Sequence, residues 1–424
     1  MKYFRIESSL HKLRRWCALS AMVAAGCGSL NAQLEPGDLV AICGDSITQQ
    51  KLYSVMMEEY LLMCQPQQDL NAVQFGWGGE QVSGLVKRME NDVLPFKPTV
   101  ATTCYGMNDG RYRPVDQGVL DSYRENTAKM VQGFKKAGVR FIVVGSPGVV
   151  DPERYKRSNS SAAEYNETLK ELSRVAQEVA ESEGVAFADV YTPMMEGMIR
   201  AKEKYGDDFL VAADGVHPGE NGHLLMAYAF LKALGCDGDI GTITVNYEAE
   251  TARTDTSQKV LAFEEGELTI ESTRYPFCFS TRNDQRGADT MSEFIPFNEE
   301  LNRYQLIVEN APPMTTITWG EMSRNYTAEE LAAGINLAAD FSTSPFSTPF
   351  REVSAKVKTQ QRFEETAIKS LLHSLISWRN LFPEEDETFL MLQTRVIEKD
   401  DEFRRAAREA VVPVRHSIRI TPAG

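Results

Sequence analysis

Leu39-Val40-Ala41-Ile42-Cys43-Gly44-Asp45-Ser46-Ile47-Thr48 is a short apolar run that stops on Gly-Asp-Ser. An apolar run of this length with no polar alternation is how a strand looks when both of its faces are covered. The same rhythm returns at Val73–Phe75, Val100–Tyr105, Val139–Val144 and Val185–Val190. Between these runs the apolar residues recur at helical spacing, roughly over 50–63, 80–93, 117–137, 161–183 and 192–204, with one more helix near 220–234. Lys136-Ala137-Gly138 and Ser182-Glu183-Gly184 carry the glycine that stops a helix. Strands alternating with helices over about 200 residues predict a right-handed α/β fold. The expected form is a flavodoxin-like three-layer sandwich with a parallel sheet. Ligands in such sheets bind beyond the carboxyl ends of the strands.

Polar punctuation falls at those ends. Ser46 closes the first run, and Gly106-Met107-Asn108-Asp109 closes the third. Phe75-Gly76-Trp77-Gly78-Gly79-Glu80 lies between them, and Asp214-Gly215-Val216-His217-Pro218 precedes the last helix. A serine at a strand-to-helix turn exposes its hydroxyl, and a histidine is the natural base to take its proton. Asp214, on a tight turn three residues earlier, is within reach of that imidazole. Asn108 adds a side-chain amide donor, and a glycine of the 76–79 cluster adds a backbone N–H at dihedrals other residues avoid. Each block taken alone is an ordinary turn. Their order and placement together are the parts of a serine esterase.

These four blocks resemble the SGNH hydrolases, the GDSL esterase/lipase superfamily, over roughly residues 36–236. The resemblance implies that Ser46 is nucleophile and oxyanion donor, that Gly79 and Asn108 complete the oxyanion hole, and that His217 is the base with Asp214 its partner. The chain departs from the family in two places. The first block reads Gly-Asp-Ser-Ile where leucine is usual, and the second reads Trp77-Gly78-Gly79-Glu80 in place of Ser-Gly-Asp/Glu. Gly79 is the preferred register, with Gly76 and Gly78 as the other two. Asp45 is expected to brace the loop. Arg111, Tyr112, Arg113, Arg154 and Tyr155 follow strand ends and are candidate substrate contacts. His11, His223, His373 and His416 read as lying outside the catalytic set.

The N-terminus has its own composition. Lys2, Arg5, Lys12, Arg14 and Arg15 precede an apolar, small-residue stretch from Trp16 to Gly28, the pattern of an export signal over residues 1–32. Ala24-Ala25-Gly26-Cys27 resembles a lipoprotein box without its usual leucine and would leave Cys27 lipidated, whereas Leu30-Asn31-Ala32 suits ordinary signal peptidase. That segment carries five bases and one acid, so without it the net charge of −15 becomes −19. Such a field disfavours nucleic acid as a partner, and anionic lipid too. A membrane partner is expected only through a lipid on Cys27, and the protein is expected to be periplasmic, secreted or lipid-anchored at the cell surface. Cys43, Cys64, Cys104, Cys236 and Cys278 are too few and too scattered for a disulfide framework, and no Cys/His spacing suggests zinc. No metal or cofactor is expected.

The hydrolase unit is expected over 33–240. Beyond it, 241–424 reads as an accessory region, β strands followed by a helical hairpin. Thr242–Tyr247, Lys259–Phe263, Glu267–Ser272 and Tyr304–Val308 look like antiparallel strands. Thr327-Ala328-Glu329-Glu330 is a capping box opening a helix to about Asp340. Two long polar helices follow near 352–380 and 386–410, their acid-rich faces reading as solvated, and Val411–Ile420 returns as a strand. The expected function is an exported esterase that removes short acyl groups, acetyl foremost, from a carbohydrate by way of an acyl-enzyme. The alternatives are a lysophospholipase or broad short-chain esterase and, from another class, an inactive surface protein that binds glycan.

Overall fold

Continuous apolar runs produce the strands that bury them. In the computed structural model, which describes residues 34–65, 69–282 and 286–423, five parallel strands form the first sheet. They are β1 (Leu39–Gly44), β2 (Asn71–Gly76), β3 (Val100–Cys104), β4 (Phe141–Gly145) and β5 (Ala186–Ala188). Every residue of β1 to β4 is buried. The order is β2-β1-β3-β4-β5, the doubly wound arrangement expected, with Ala41 opposite Val73 on one side and Ala101 on the other. The export signal, Cys27 and His11 lie outside the described residues.

Helices cover both faces. α1 (Ser46–Gln49) and α2 (Tyr53–Met63) follow β1, α3 (Val82–Asp92) follows β2, and α4 (Gln117–Lys136) follows β3. α5 (Ala162–Glu183), α6 (Tyr191–Tyr205) and α7 (Glu220–Ala233) complete this part. α3, α4 and α5 are neighbours along one face, and α2 lies beside α7 on the other. Side chains cap two of the helix starts. Asp116 accepts from the Val119 amide at 2.9 Å, and Ser161 and Glu164 form a reciprocal capping box. No helix among the described residues is long and apolar enough to cross a membrane.

Past Gly235 the strands are β6 (Asp239–Asn246), β7 (Thr251–Thr254), β8 (Gln258–Glu264), β9 (Glu267–Ser272), β10 (Arg303–Glu309), β11 (Met314–Trp319), β12 (Met322–Thr327), β13 (Ile335–Asn336) and β14 (Val414–Pro422). They make two sheets, β13-β10-β6-β7 and β12-β11-β14-β9-β8. The expected all-antiparallel pattern needs one correction: β6 and β10 run parallel. The chain from Asn246, where β6 ends, to Arg303, where β10 starts, passes through the other sheet and is long enough to return in the same direction. The helix opened by Thr327 stops at Ala333, where Gly334 turns at φ +97° and Ile335–Asn336 joins the edge of β10.

Then come α8 (Ser347–Ala367), a single π-helical turn over Ile368–Leu372, α9 (His373–Leu381) and α10 (Asp386–Glu409). The acid-rich helices are not simply solvated, which corrects the expectation for them. Gln360, Gln361, Glu364 and Asp400 are buried. Gln360 Nε2 donates to the Ala72 carbonyl at 3.0 Å, and Glu364 Oε2 accepts from the Gln74 amide at 2.8 Å. Both backbone groups sit on the outer edge of β2, so α8 completes the hydrogen bonding of an edge strand. Glu58 on α2 ties in, accepting from Gln360 and Gln361 at 2.7 Å each.

Candidate active site

The end of β1 sets the first group. Asp45 caps α1 by accepting from the Ile47 amide at 2.9 Å, which makes Ser46 the first helical residue and leaves its side chain in the cleft. His217 Nε2 lies 2.9 Å from Ser46 Oγ. On the far side of the ring, Nδ1 is 2.7 Å from Asp214 Oδ2. The other carboxylate oxygen, Oδ1, accepts from the His217 amide at 2.7 Å and the Val216 amide at 2.9 Å. One aspartate thus folds the turn and orients the imidazole. Burial alone would raise the Asp214 pKa, but the hydrogen bonds from the His217 amide and ring and from the Val216 amide hold it below the ordinary value. Both groups face water in part, His217 with 31% and Asp214 with 57% of the side chain exposed.

The Asp214 turn is braced from behind. Gly215 takes φ +85°, and a Cβ there would lie 2.4 Å from the Tyr155 nitrogen. Its carbonyl accepts from the Asp151 amide at 2.9 Å. Asp151 is fully buried, with one oxygen 3.1 Å from Lys202 Nζ and the other accepting from Val211 N at 2.9 Å. Sequence reasoning passed over Asp151, because a carboxylate after a strand end looks like any loop acid.

Asn108 meets the Ser46 turn through the preceding residue, Asp45. Its Nδ2 is 3.3 Å from Asp45 Oδ2 and 3.2 Å from the Glu80 carbonyl, and its Oδ1 accepts from Tyr112 Oη at 3.1 Å. Burial pushes the Asp45 carboxyl up to about 7, with the Ile47 amide opposing and Asp109 and Glu80 adding to the rise. Asp109 is likewise pushed up to about 7 by burial, against the pull of the Val82 and Gly106 amides. Glu80 is clamped by Arg88 at 2.7 and 2.8 Å.

Of the three glycines, Gly76 spends its amide on Gln74 Oε1 at 2.8 Å. Trp77 to Glu80 form a turn closed by Glu80 N to Trp77 O at 3.1 Å, with Gly79 at φ +74° in the position that needs a positive φ. Among the described residues the Gly78 and Gly79 amides have no acceptor. The five candidate contacts are dispersed. Tyr112 meets Asn108 and carries the Arg157 guanidinium 4.4 Å over its ring. Arg111 and Arg154 are exposed, and Arg113 is half-buried. Tyr155 is buried behind the site, stacked on Tyr165. His223 is buried and held 3.0 Å from Gln50 Oε1, while His416 sits in the C-terminal core against Ser272.

The C-terminal region reaches the rim. Glu365 on α8 pairs with Lys51 and accepts from Gln49 Nε2 at 2.8 Å. Lys369, in the π turn, lies 5.2 Å over the Trp77 ring, and the His373 ring is 4.7 Å from it. No sequence signal tied these helix residues to a loop 300 positions earlier. Among the described residues no His/Cys/Asp/Glu group is placed to hold a metal ion.

A hydroxyl, an imidazole and a carboxylate thus stand in hydrogen-bonded series at the carboxyl end of a parallel sheet. Residues 42–225 match the family model of the GDSL-like Lipase/Acylhydrolase family. The chain is a carboxylic ester hydrolase. An acetylxylan esterase of Geobacillus stearothermophilus is 27% identical over 177 residues, covering 40% of this chain and 74% of that one. Among solved structures, a gut microbial diltiazem-metabolizing enzyme covers 92% of this chain and 100% of its own, with a TM-score of 0.73 and 21% identity. That likeness is one of fold, and it extends through the C-terminal region.

Proposed function

We propose that this chain is an exported serine esterase that removes short acyl groups, acetyl foremost, from a carbohydrate. The observation that carries the reading is the hydrogen-bonded series Ser46, His217 and Asp214, at 2.9 and 2.7 Å. Ser46 Oγ attacks the ester carbonyl as His217 Nε2 takes its proton, and Asp214 holds the resulting imidazolium. The oxyanion is met by the Ser46 amide, free at the first turn of a helix, by the Gly79 amide, and by Asn108 Nδ2. Asn108 donates by releasing one of its two long bonds. The bond to the alcohol then breaks as Nε2 returns the proton to the leaving oxygen. Water repeats the cycle on the acyl-enzyme and frees the acid. Export rests on the composition of residues 1–32. The acetyl and carbohydrate assignment is supported by the name of the Geobacillus relative.

The test is hydrolysis of p-nitrophenyl acetate, butyrate and laurate, with Ser46→Ala alongside. Acetate turned over well above laurate, and lost in Ser46→Ala, is the expected result. A preference for laurate moves the reading to lipid esters, and turnover that survives Ser46→Ala removes the serine mechanism.

A further inference from the structure

A cavity of about 390 Å³ lies where the C-terminal region meets the two segments that carry Ser46 and His217. Lys51 and Leu52, five and six residues after Ser46, form part of its wall, and Glu220, three residues after His217, forms another part. Gln50 ties these two segments together, with Nε2 3.4 Å from the Pro218 carbonyl and Oε1 3.0 Å from His223 Nε2. Phe277, Phe279 and Phe350 close the cavity from the C-terminal side. The volume is that of a small-molecule site, for which about 300–1,000 Å³ is usual.

Its chemistry selects the occupant. Phe277 and Phe350 are buried, with Phe277 packed edge-on to Phe279 at 5.4 Å, so the half-exposed Phe279 ring is the part left to meet a ligand. The charges nearest the catalytic loops have counter-charges, Lys51 in Glu365 and Glu220 in Arg282 at 3.8 Å, and the Ser280 hydroxyl donates to Glu220 at 2.7 Å. Ser342 and Thr343 also line the cavity, and Thr281 brings a further hydroxyl. An aromatic platform and several hydroxyls, with the charges beside the catalytic loops paired, suit a neutral ring with an apolar C–H face and hydroxyl edges. We propose that this cavity holds a neutral sugar unit of the alcohol part of the ester, beside the unit that bears the acyl group. The inference rests on the esterase reading for its place in the reaction. It assigns residues 277–281 and 342–350 to substrate selection, with Phe279 as a specificity-determining residue.

Two measurements on the full chain test it. The first compares kcat/KM for acetylated xylotriose with that for p-nitrophenyl acetate in wild type, Phe279→Ala and Phe279→Trp. The ratio is expected to fall about tenfold in Phe279→Ala, through KM, and to recover in Phe279→Trp. A ratio unchanged in Phe279→Ala overturns the proposal. The second is calorimetric binding of unacetylated xylotriose, mannotriose and cellotriose to Ser46→Ala protein, with and without Phe279→Ala, both variants checked by thermal melting. Binding of at least one trisaccharide, weakened about tenfold by Phe279→Ala, is expected. No binding of any, or binding indifferent to Phe279, overturns the proposal. If wild type hydrolyses neither ester the esterase reading fails, and the calorimetry still decides the cavity.

Discussion

Replacing Asp151 is expected to damage the active site without touching it. The carboxylate is fully buried and answers to the Lys202 ammonium at 3.1 Å and the Val211 and Glu153 amides at 2.9 and 3.2 Å. Asp151→Ala leaves the ammonium without its counter-charge and the Val211 amide without an acceptor. Breaking a buried pair by removing one partner costs about 3–5 kcal/mol. Lys202 retains the Phe209 carbonyl at 2.7 Å, which places the expected loss toward the lower end. Asp151→Asn keeps one acceptor and is expected to lose about 1–3 kcal/mol. The segment released is the one that carries Asp214 and His217, and a displacement of about 1 Å in a reacting group lowers turnover about a hundredfold. Urea unfolding followed by tryptophan fluorescence gives the first quantity. Hydrolysis of p-nitrophenyl acetate by fully folded protein gives the second. If Asp151→Ala loses stability while the folded enzyme keeps its kcat, Asp151 holds the fold and does not position the catalytic turn.

Three further outcomes follow from the geometry. Gly215→Ala forces a side chain into φ +85° and a Cβ to 2.4 Å from the Tyr155 nitrogen, so a loss of about 1–3 kcal/mol with reduced turnover is expected, and an unchanged melting curve would refute it. Asp214→Asn is expected to be about ten- to a hundredfold less damaging to kcat than Ser46→Ala, because the carboxylate is more than half exposed and water can partly replace it; equal losses would count against that. Burial raises Asp45, Glu59 and Asp109 to about 7 and Glu58 to about 8, all above their unfolded values of 3.8 or 4.5. The folded chain therefore holds protons that the unfolded chain has released. This contribution is complete below about 4 and is lost as pH rises toward 8, so the melting temperature should fall between pH 5.5 and 8.5, and less steeply in Glu58→Gln. A melting temperature that rises over that interval would refute the assignment.

The parallel sheet was readable because β1 to β4 are covered on both faces, which leaves no polar alternation to confuse their signal. Ser46, Asn108, Asp214 and His217 were readable because each sits at a strand end or turn, and the structure brings all four to one cleft. What stayed hidden depends on partners remote in sequence. β7 (Thr-Ala-Arg-Thr) and β12 (Met-Ser-Arg-Asn-Tyr-Thr) have little apolar content, and only pairing with β6 and β11 makes them strands. Glu364 and Gln360 look like the wet side of a helix until β2 offers them its unpaired backbone groups. Asp151 and Lys369 gain their places from contacts no local pattern encodes.

The seam between α8 and β2 bears on how such a protein is inherited. A chain cut near residue 240 would retain every block of the esterase signature yet expose the rim of its own sheet, inviting a second copy to zip onto it. The stretch that carries the family likeness is therefore not an interchangeable cassette. Recombination that moved it alone would deliver intact catalytic groups on a body prone to aggregate, so the two halves of this gene are expected to travel together.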